Sequence, residues 1–211
     1  MSGITNESVE KYMHDLVPER DQVLHEIEEL AAEQKIPIIG PAVGRLLEQL
    51  AQLINAGRIF EMGSAVGYST IWLARGVGTG GKVYYSDGSR DRAQLAESYF
   101  DRAGIRDRIE ILTGNSLDLI DETDGEFDIV FNDVDKHYYP EVYRRVRDRV
   151  RVGGLLLTDN VLWYGKVTDP NIDDRDTEAI RTFNQMLYRD ECYLTTIMPL
   201  RDGVSIALRI R

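Results

Sequence analysis

Two segments in the first quarter of the chain carry apolar residues at the spacing of an α-helix. In residues 21–34 and again in residues 41–57, apolar side chains recur every three or four positions and therefore fall on one face. Gly57 is a plausible end for the second helix, because glycine commonly follows a helix C-terminus. We expect these helices to form an N-terminal helical cap over residues 1–56.

From residue 57 onward, short apolar runs alternate with amphipathic segments. This alternation is typical of a doubly wound, Rossmann-like, mostly parallel sheet. The last two runs, joined by Arg201-Asp202-Gly203, predict a C-terminal antiparallel β-hairpin. We therefore expect an α/β fold in a single domain over residues 1–211, whose core, residues 57–211, holds a seven-stranded sheet. The predicted strands are residues 58–62, 82–87, 108–114, 127–133, 154–160, 193–199 and 203–210, and helices are predicted from Ser69, over 90–103, near Pro140 and over 177–187.

Composition and charge narrow the class of protein. With 211 residues, 43% of them apolar, the chain is long enough for one hydrophobic core. A net charge of −11 disfavours broad binding to nucleic acid, which requires basic surface. The single cysteine, Cys192, forms no internal disulfide and fits a reducing compartment, so we expect a cytoplasmic protein. No apolar run approaches the ~20 residues of a membrane span, and residues 1–15 lack the pattern of a signal peptide.

Acidic residues stand at the ends of four predicted strands. They are Glu61, Asp87, Asp133 and Asp159, the last followed by Asn160. Ligands of doubly wound sheets bind at the carboxyl ends of the strands. If the strands that end at Asp133 and Asp159 are neighbours, their carboxylates and the Asn160 amide converge on one hard cation such as Mg²⁺. The alternative is that these acids cap the segments that follow. One cysteine and three distant histidines make a zinc site improbable.

The segment EMGSAVGYS, residues 61–69, is a glycine-rich turn between a strand and a helix. It is not the dinucleotide fingerprint G-x-G-x-x-G, because residue 65 is alanine, and no Gly-Lys-Ser/Thr of a phosphate-binding loop follows. An acid on the leading strand suits a ligand that carries an ammonium group. Asp87, at the next strand end, is placed to accept hydrogen bonds from ribose hydroxyls. The alternative is a tight turn with a surface aspartate.

Four motifs in order, EMGSAVGYS, FNDVDKHYYPEVY, TDNVLWYGKV and PLRDGVSIALRI, resemble the cation-dependent O-methyltransferases of the caffeoyl-CoA and catechol type. The resemblance runs from about Ile38 to the C-terminus. It implies the methyltransferase variant of the doubly wound sheet, with S-adenosylmethionine and a divalent cation (Mg²⁺ preferred, Ca²⁺ or Mn²⁺ possible) as cofactors. It also implies a small catechol-like acceptor with vicinal hydroxyls and a homodimer.

The resemblance also assigns roles to individual residues. Lys136 matches the lysine that faces the accepting hydroxyl, and with Asp133 it is our catalytic candidate. A cation that binds two vicinal oxygens lowers their pKa, and we expect it also to lower the pKa of Lys136, which then accepts the proton. Two residues depart from the family pattern: Asn132 stands where the family usually has an apolar residue, and Arg201 where it commonly has a glycine. By resemblance, the cofactor-binding residues are Glu61, Gly63, Gly67, Tyr68, Ser69, Asp87, Asn115 and Asp133, the metal ligands are Asp133, Asp159 and Asn160, and Trp163 lines the substrate pocket.

Several alternatives stay open. Some bacterial members methylate a hydroxylated wobble uridine of tRNA, and the arginine-rich segment 144–151 is a possible RNA patch. However, a helix that starts at the carboxyl end of a strand carries its late arginines away from the site, and the net charge also disfavours tRNA. The alternative for Lys136 is a surface lysine at the start of a helix. The alternative for Trp163 is a residue of the hydrophobic core. A different class, a non-catalytic S-adenosylmethionine-binding protein or an NAD-binding module, is less consistent with these motifs.

Overall fold

A computed structural model describes residues 6–211 of the chain and places them in a seven-stranded sheet with helices on both faces. Residues 1–5, which the predicted domain and the signal-peptide argument include, lie outside the described residues. The strands are β1 (Arg58–Met62), β2 (Lys82–Asp87), β3 (Ile109–Thr113), β4 (Phe127–Asn132), β5 (Val150–Thr158), β6 (Tyr193–Met198) and β7 (Val204–Arg209). The α-helices are α1 (Glu7–Leu16), α2 (Gln22–Gln34), α3 (Gly40–Leu53), α4 (Tyr68–Gly76), α5 (Arg90–Arg102), α6 (Ser116–Glu122), α7 (Tyr139–Val146) and α8 (Arg175–Arg189).

The strand order is β3-β2-β1-β4-β5-β7-β6. Strands β1 to β5 pair in parallel, and β7 pairs antiparallel with both β5 and β6. The predicted doubly wound sheet with a C-terminal antiparallel hairpin is therefore confirmed. The chain reverses its direction of winding between β1 and β4, and ligands of such sheets bind at this point.

Alternate residues of the strands bury into two hydrophobic clusters, one on each face of the sheet. On one face Ile59 and Ile129 pack under α2, α3, α4 and α5. On the other face Phe60 and Val130 pack under α6, α7 and α8. The central strands are thus covered on both sides, as their nearly continuous apolar sequence predicted. Among residues 6–211, no helix is both long and apolar enough to cross a membrane.

The helices that precede β1 contribute to the main core. Gly44 of α3 faces Trp72 of α4 so closely that a Cβ at Gly44 would lie 2.4 Å from the indole nitrogen. Leu24 and Ile27 of α2 and Val43 of α3 are fully buried in the same cluster. The division of the domain at residue 56 stays a prediction from the sequence.

Some elements differ from the sequence prediction. Helix α3 ends at Leu53 and not at Gly57, because Asn55 adopts a left-handed backbone with φ of 49°. Strand β5 begins at Val150, before the expected start, and a register shift against β4 accommodates the glycine pair that precedes Leu155. Helices α1 and α6 were not predicted. Helix α1 has apolar residues at helical spacing, namely Val9, Tyr12, Met13 and Leu16, but it buries none of its residues.

Candidate active site

A cavity of about 1260 Å³ opens at the carboxyl ends of β1, β2, β4 and β5. Its size exceeds the ~300–1,000 Å³ of most small-molecule sites, which leaves room for two ligands side by side. It brings together eight of the predicted site residues, namely Gly63, Asp87, Asn115, Asp133, Lys136, Asp159, Asn160 and Trp163. Tyr68 and Ser69 line a small adjoining pocket of about 10 Å³ that shares Gly63 and Asp133 with the large cavity.

The glycine-rich turn approaches the end of β4 through Gly63. This residue has φ of +85°, and a Cβ there would lie 2.6 Å from the Asp133 carbonyl oxygen. Only glycine therefore allows the turn to pass so close to the acidic end of the cavity. Gly67, with φ of +82°, serves a different contact, because its Cβ would meet the ring of Phe100 at 2.6 Å. Gly67 faces helix α5 and lines neither pocket.

Asp87 connects the glycine-rich turn to the end of β2. Its Oδ2 accepts from Ala65 N at 3.0 Å and its Oδ1 accepts from Ser89 N at 2.8 Å. A carboxylate has about four lone-pair positions, so Asp87 keeps capacity for hydroxyls of a ligand in the cavity. Asn115 accepts from Leu117 N at 2.9 Å and thereby caps α6, which leaves its amide NH₂ available at the same end.

Glu61 is fully buried beneath the glycine-rich turn. Its Oε2 accepts a hydrogen bond from the Thr70 hydroxyl, whereas its Oε1 has no partner. Burial raises the pKa of Glu61, although nearby hydroxyls oppose the rise. A buried carboxylate oxygen without a donor is unfavourable. Glu61 lines neither cavity, and its predicted contact with an ammonium group of the ligand therefore stays a prediction.

The acidic end of the cavity follows from the register of β4 and β5. Asn132 pairs with Thr158 in parallel, so Asp133 and Asp159 lie directly beyond two adjacent strand ends, as predicted. Asp159 is 1% exposed and its Oδ1 has no hydrogen-bond partner. Burial and the neighbouring carboxylate of Asp133 raise the pKa of Asp159 to about 8.

Lys136 is paired with Asp133 at this end. Its Nζ donates to Asp133 Oδ1 at 2.8 Å and to the Val134 carbonyl at 3.3 Å. Burial is the largest single influence and acts to lower the pKa of Lys136, but the charge and hydrogen bond of Asp133, together with Tyr139 and Asp159, raise the pKa above its usual value. Lys136 is therefore an ammonium group here. Its Nζ lies 5.9 Å from the centroid of the Trp163 ring, so both face the same space.

Two residues of the β6–β7 hairpin, Arg201 and Asp202, reach the site, although the sequence assigned neither of them a role there. Asp202 is 1% exposed, and its Oδ2 accepts from Asn160 Nδ2 at 2.7 Å. Its backbone carbonyl also accepts from Leu162 N and Trp163 N. Asp202 therefore orients the Asn160 amide and supports the loop that carries Trp163. Arg201 lines the cavity beside it.

Two observations bear on the predicted metal ligands Asp133, Asp159 and Asn160, and they point in opposite directions. In the part of the chain that the structure describes, no three His, Cys, Asp or Glu side chains form a metal-binding group. Asp133, Asp159 and the Asn160 amide are nevertheless grouped on the same wall of the cavity. Their oxygens are the donors that hard divalent cations prefer.

The arginine-rich segment 144–151 is used inside the protein. Arg145 contacts Asp121, Arg147 contacts Asp190, and Arg151 contacts Asp128. Arg149 donates to the Ile120 carbonyl at 2.7 Å. None of these arginines lines the large cavity. The segment is accounted for as a structural feature and does not form a free basic patch.

Comparison with known proteins agrees with this geometry. The model of an O-methyltransferase family matches residues 14–210. A catechol O-methyltransferase from Niastella koreensis is 35% identical over 96% of this chain and 96% of its own length. A caffeoyl-CoA O-methyltransferase from Eucalyptus gunnii is 29% identical over 92% of this chain and 83% of its own.

Solved structures show the same fold with the cofactor bound. The O-methyltransferase from Bacillus cereus in complex with S-adenosylhomocysteine has a TM-score of 0.86 and 31% identity, over 96% of this chain and 97% of that one. TomG of Streptomyces achromogenes, an O-methyltransferase of tomaymycin synthesis in complex with S-adenosylmethionine, has a TM-score of 0.85 and 31% identity, over 97% and 96%. The chain therefore belongs to the family of S-adenosylmethionine-dependent O-methyltransferases.

Proposed function

We propose that this protein transfers the methyl group of S-adenosylmethionine to one hydroxyl of a small catechol-like acceptor, with the help of a divalent cation. The observation that carries the proposal is the grouping of Asp133, Asp159 and Asn160 with Lys136 and Trp163 at one end of a cavity. At the other end, the Asp87 carboxylate and the Asn115 amide suit the ribose and the base of a nucleoside. The catechol O-methyltransferase relative supports this acceptor class.

The cofactor would lie along the glycine-rich turn. Glu61 has a buried carboxylate oxygen without a partner, which suits the ammonium group of the methionine part. Asp87 keeps acceptor capacity for ribose hydroxyls, and Asn115 lies near the position of the base. Gly63 allows the sulfonium region to approach the acidic end. Ser69 and Tyr68 line only the adjoining small pocket, so we assign them to the edge of the methionine position.

The proposed cation site fits its residues. Asp133, Asp159 and Asn160 supply oxygen ligands, and the unpartnered Oδ1 of the buried Asp159 suits a positive partner. Asp202 holds the Asn160 amide by its nitrogen, which leaves the amide oxygen free to act as a ligand. A divalent cation in this position would lower the pKa of two vicinal hydroxyls and orient them.

The protein's own residues then divide the remaining work. The ~3 Å approach of an oxygen to an activated methyl group depends on positioning, and the Trp163 ring offers a flat wall for a planar acceptor. Lys136 as an ammonium group stabilises an anionic oxygen. It accepts a proton only when the charges of Asp133 and Asp159 are neutralised, because Asp133 otherwise keeps Lys136 protonated. The predicted role of Lys136 as a base therefore depends on cation binding.

The test is methyl transfer from labelled S-adenosylmethionine to catechol, with Mg²⁺ and then with excess chelator. We expect activity with Mg²⁺ and its loss with chelator. Activity that is indifferent to chelator would remove the cation from the proposal and leave the methyltransferase class intact. No transfer to catechol under either condition would contradict the acceptor class.

A tRNA acceptor is the less favoured alternative. The net charge of −11 and the internal use of segment 144–151 both count against a nucleic-acid surface. We also propose a homodimer in the cytoplasm, from the family resemblance and from the single cysteine. Light scattering after size-exclusion chromatography tests the dimer, since a monomeric mass at micromolar concentration would contradict it.

A further inference from the structure

Arg201 occupies a backbone position that suits glycine. Its φ is 55°, in the left-handed region that side chains with a Cβ rarely adopt. The family resemblance also has glycine at this position. A long cationic side chain is therefore present where the local backbone conformation disfavours it, and such positions often occur at functional sites.

The side chain of Arg201 crosses from the β6–β7 hairpin to the segment before α3. Its Nη1 donates to the Ile38 carbonyl at 2.9 Å. A Cβ at Gly40 would lie 3.6 Å from the same nitrogen, so the guanidinium lies along this segment. Ile38, Trp163 and Arg201 line the same cavity. The guanidinium thus forms part of the cavity wall near Asp133, Asp159 and Trp163, where the methyl acceptor would bind; we call this the acceptor end.

Most donors of this guanidinium are unused. Arginine has five N–H donors in a planar fork, and the Ile38 carbonyl takes up one nitrogen. Within residues 6–211, neither Nε nor Nη2 of Arg201 has an acceptor, and no carboxylate lies within 4.0 Å of it. Lys136, the other cation at this end, is already paired with Asp133. Among the described residues, Arg201 is therefore a cation of this cavity without a carboxylate partner.

The charge of Arg201 acts on Asp133 and Asp159, and its neighbour in the chain is the buried Asp202. Under the proposed function, Asp133 and Asp159 are ligands of a divalent cation. The unused Nε and Nη2 donors of Arg201 are then available to an anion that is not part of the protein, and this planar fork matches a carboxylate with two parallel hydrogen bonds.

We propose that Arg201 binds a carboxylate on the methyl acceptor, so that the enzyme prefers vicinal dihydroxy aromatic acids to neutral catechols. This inference rests on the proposed function, since it assigns the acceptor class of that same site. Arg201 acts as a specificity-determining residue, and it takes no part in proton or methyl transfer.

The test compares two acceptors of the same shape. Protocatechuate carries a carboxylate on the catechol ring, and protocatechuamide replaces it with a neutral amide. For the wild-type enzyme with Mg²⁺, we expect kcat/KM to favour protocatechuate by about tenfold or more, the usual range for a hydrogen bond to a charged group. In Arg201→Gly this preference should fall by about tenfold or more, mainly through KM for protocatechuate. Glycine suits the φ of this position, so the variant should fold.

Arg92→Gln is the matched control, because Arg92 lines the same cavity at its cofactor end. It should leave the ratio of the two acceptors unchanged. An unchanged ratio in Arg201→Gly, or no preference in the wild-type enzyme, would overturn the inference. An equal loss for both acceptors would also overturn it, since Arg201 would then act only through the acids or the hairpin.

A binding measurement decides the question if neither acceptor is methylated. That result would contradict the proposed function, and calorimetry with the protein loaded with S-adenosylhomocysteine would then test Arg201 alone. Protocatechuate should bind about tenfold more weakly to Arg201→Gly than to wild type, while the affinity for protocatechuamide changes far less. Equal affinities of the two proteins for protocatechuate would overturn the inference.

Discussion

Replacing Asp159 by asparagine should stabilise the cation-free protein at pH 8 while it abolishes cation-dependent methyl transfer. Asp159 is 1% exposed, its Oδ1 has no partner, and its pKa is raised to about 8 by burial and by Asp133. Such a group is unfavourable to the fold when ionised. Asparagine keeps the shape of the side chain and removes the charge.

The sign and size of the effect follow from this pKa. Between pH 4 and 8 the folded chain holds a proton on Asp159 that the unfolded chain, with a pKa near 3.8, has released. The contribution of protonated Asp159 to the free energy of unfolding is therefore fully present below about pH 4 and is lost as the pH rises to about 8. At ~1.4 kcal/mol per tenfold change in proton affinity, the full effect has an upper bound of roughly 6 kcal/mol. Local relaxation reduces it, so we expect Asp159→Asn to be more stable by about 2–4 kcal/mol at pH 8.

The assay is urea unfolding in the presence of chelator at pH 5 and pH 8. The stability advantage of Asp159→Asn should be larger at pH 8 than at pH 5. Asp135→Asn is the control, because it removes a charge from an exposed position of the same cavity, where the effect on unfolding should be small. Adding Mg²⁺ at pH 8 should stabilise the wild type, by ~2.7 kcal/mol at a hundredfold excess over Kd, but not the variant. A wild type whose stability is flat from pH 5 to 8, with no gain in Asp159→Asn, would refute the reasoning.

Three further predictions concern neighbouring residues. Asp202→Ala removes the acceptor that orients Asn160, so cation affinity measured by calorimetry should fall about 10–100-fold; an unchanged affinity would contradict this positioning role. Gly63→Ala should lower the free energy of unfolding by about 3 kcal/mol or more, because the new Cβ would meet the Asp133 carbonyl at 2.6 Å. Gly80 is the control: its φ is +77° but no atom lies within 4 Å of an added Cβ, so Gly80→Ala should cost only ~1 kcal/mol of backbone strain. Lys136→Gln should lower kcat by about 10²–10⁴ while the affinity for S-adenosylhomocysteine, measured by calorimetry, is retained; near-normal turnover would make Lys136 a structural residue.

Much of the fold was predictable because the central strands are buried on both faces. Their apolar runs are short, continuous and bounded by turn residues, so the sequence located six strands closely and missed the early start of β5 at Val150. Two helices were not predicted. Helix α1 carries a helical pattern but buries no side chain, and α6 has seven residues, too few for a periodic pattern. The end of α3 depended on Asn55 in a left-handed conformation, which the nearby Gly57 obscured.

The cavity was predictable only where its residues are close in sequence to strand ends. Asp133 and Lys136 lie three residues apart, and Asp159 directly follows a buried run, so local pattern and family resemblance both indicated them. Gly67 illustrates the opposite case. Its contact with the cofactor stays a prediction, whereas its close packing against Phe100 is a second reason for glycine there. The residues with which a glycine packs closely are not visible in the sequence.

The sequence by itself determined the class of fold, the strand ends that carry acids, and the family. These follow from local properties, namely burial period, turn residues and motif order. Only the tertiary structure decided what completes the site. Asp202 meets Asn160 across 42 residues, and Arg201 meets the Ile38 carbonyl across 163. Both contacts exist because β7 inserts antiparallel beside β5 and brings the hairpin over the strand ends. Lateral strand order depends on packing between distant segments, and it therefore decided which side chains surround the acceptor.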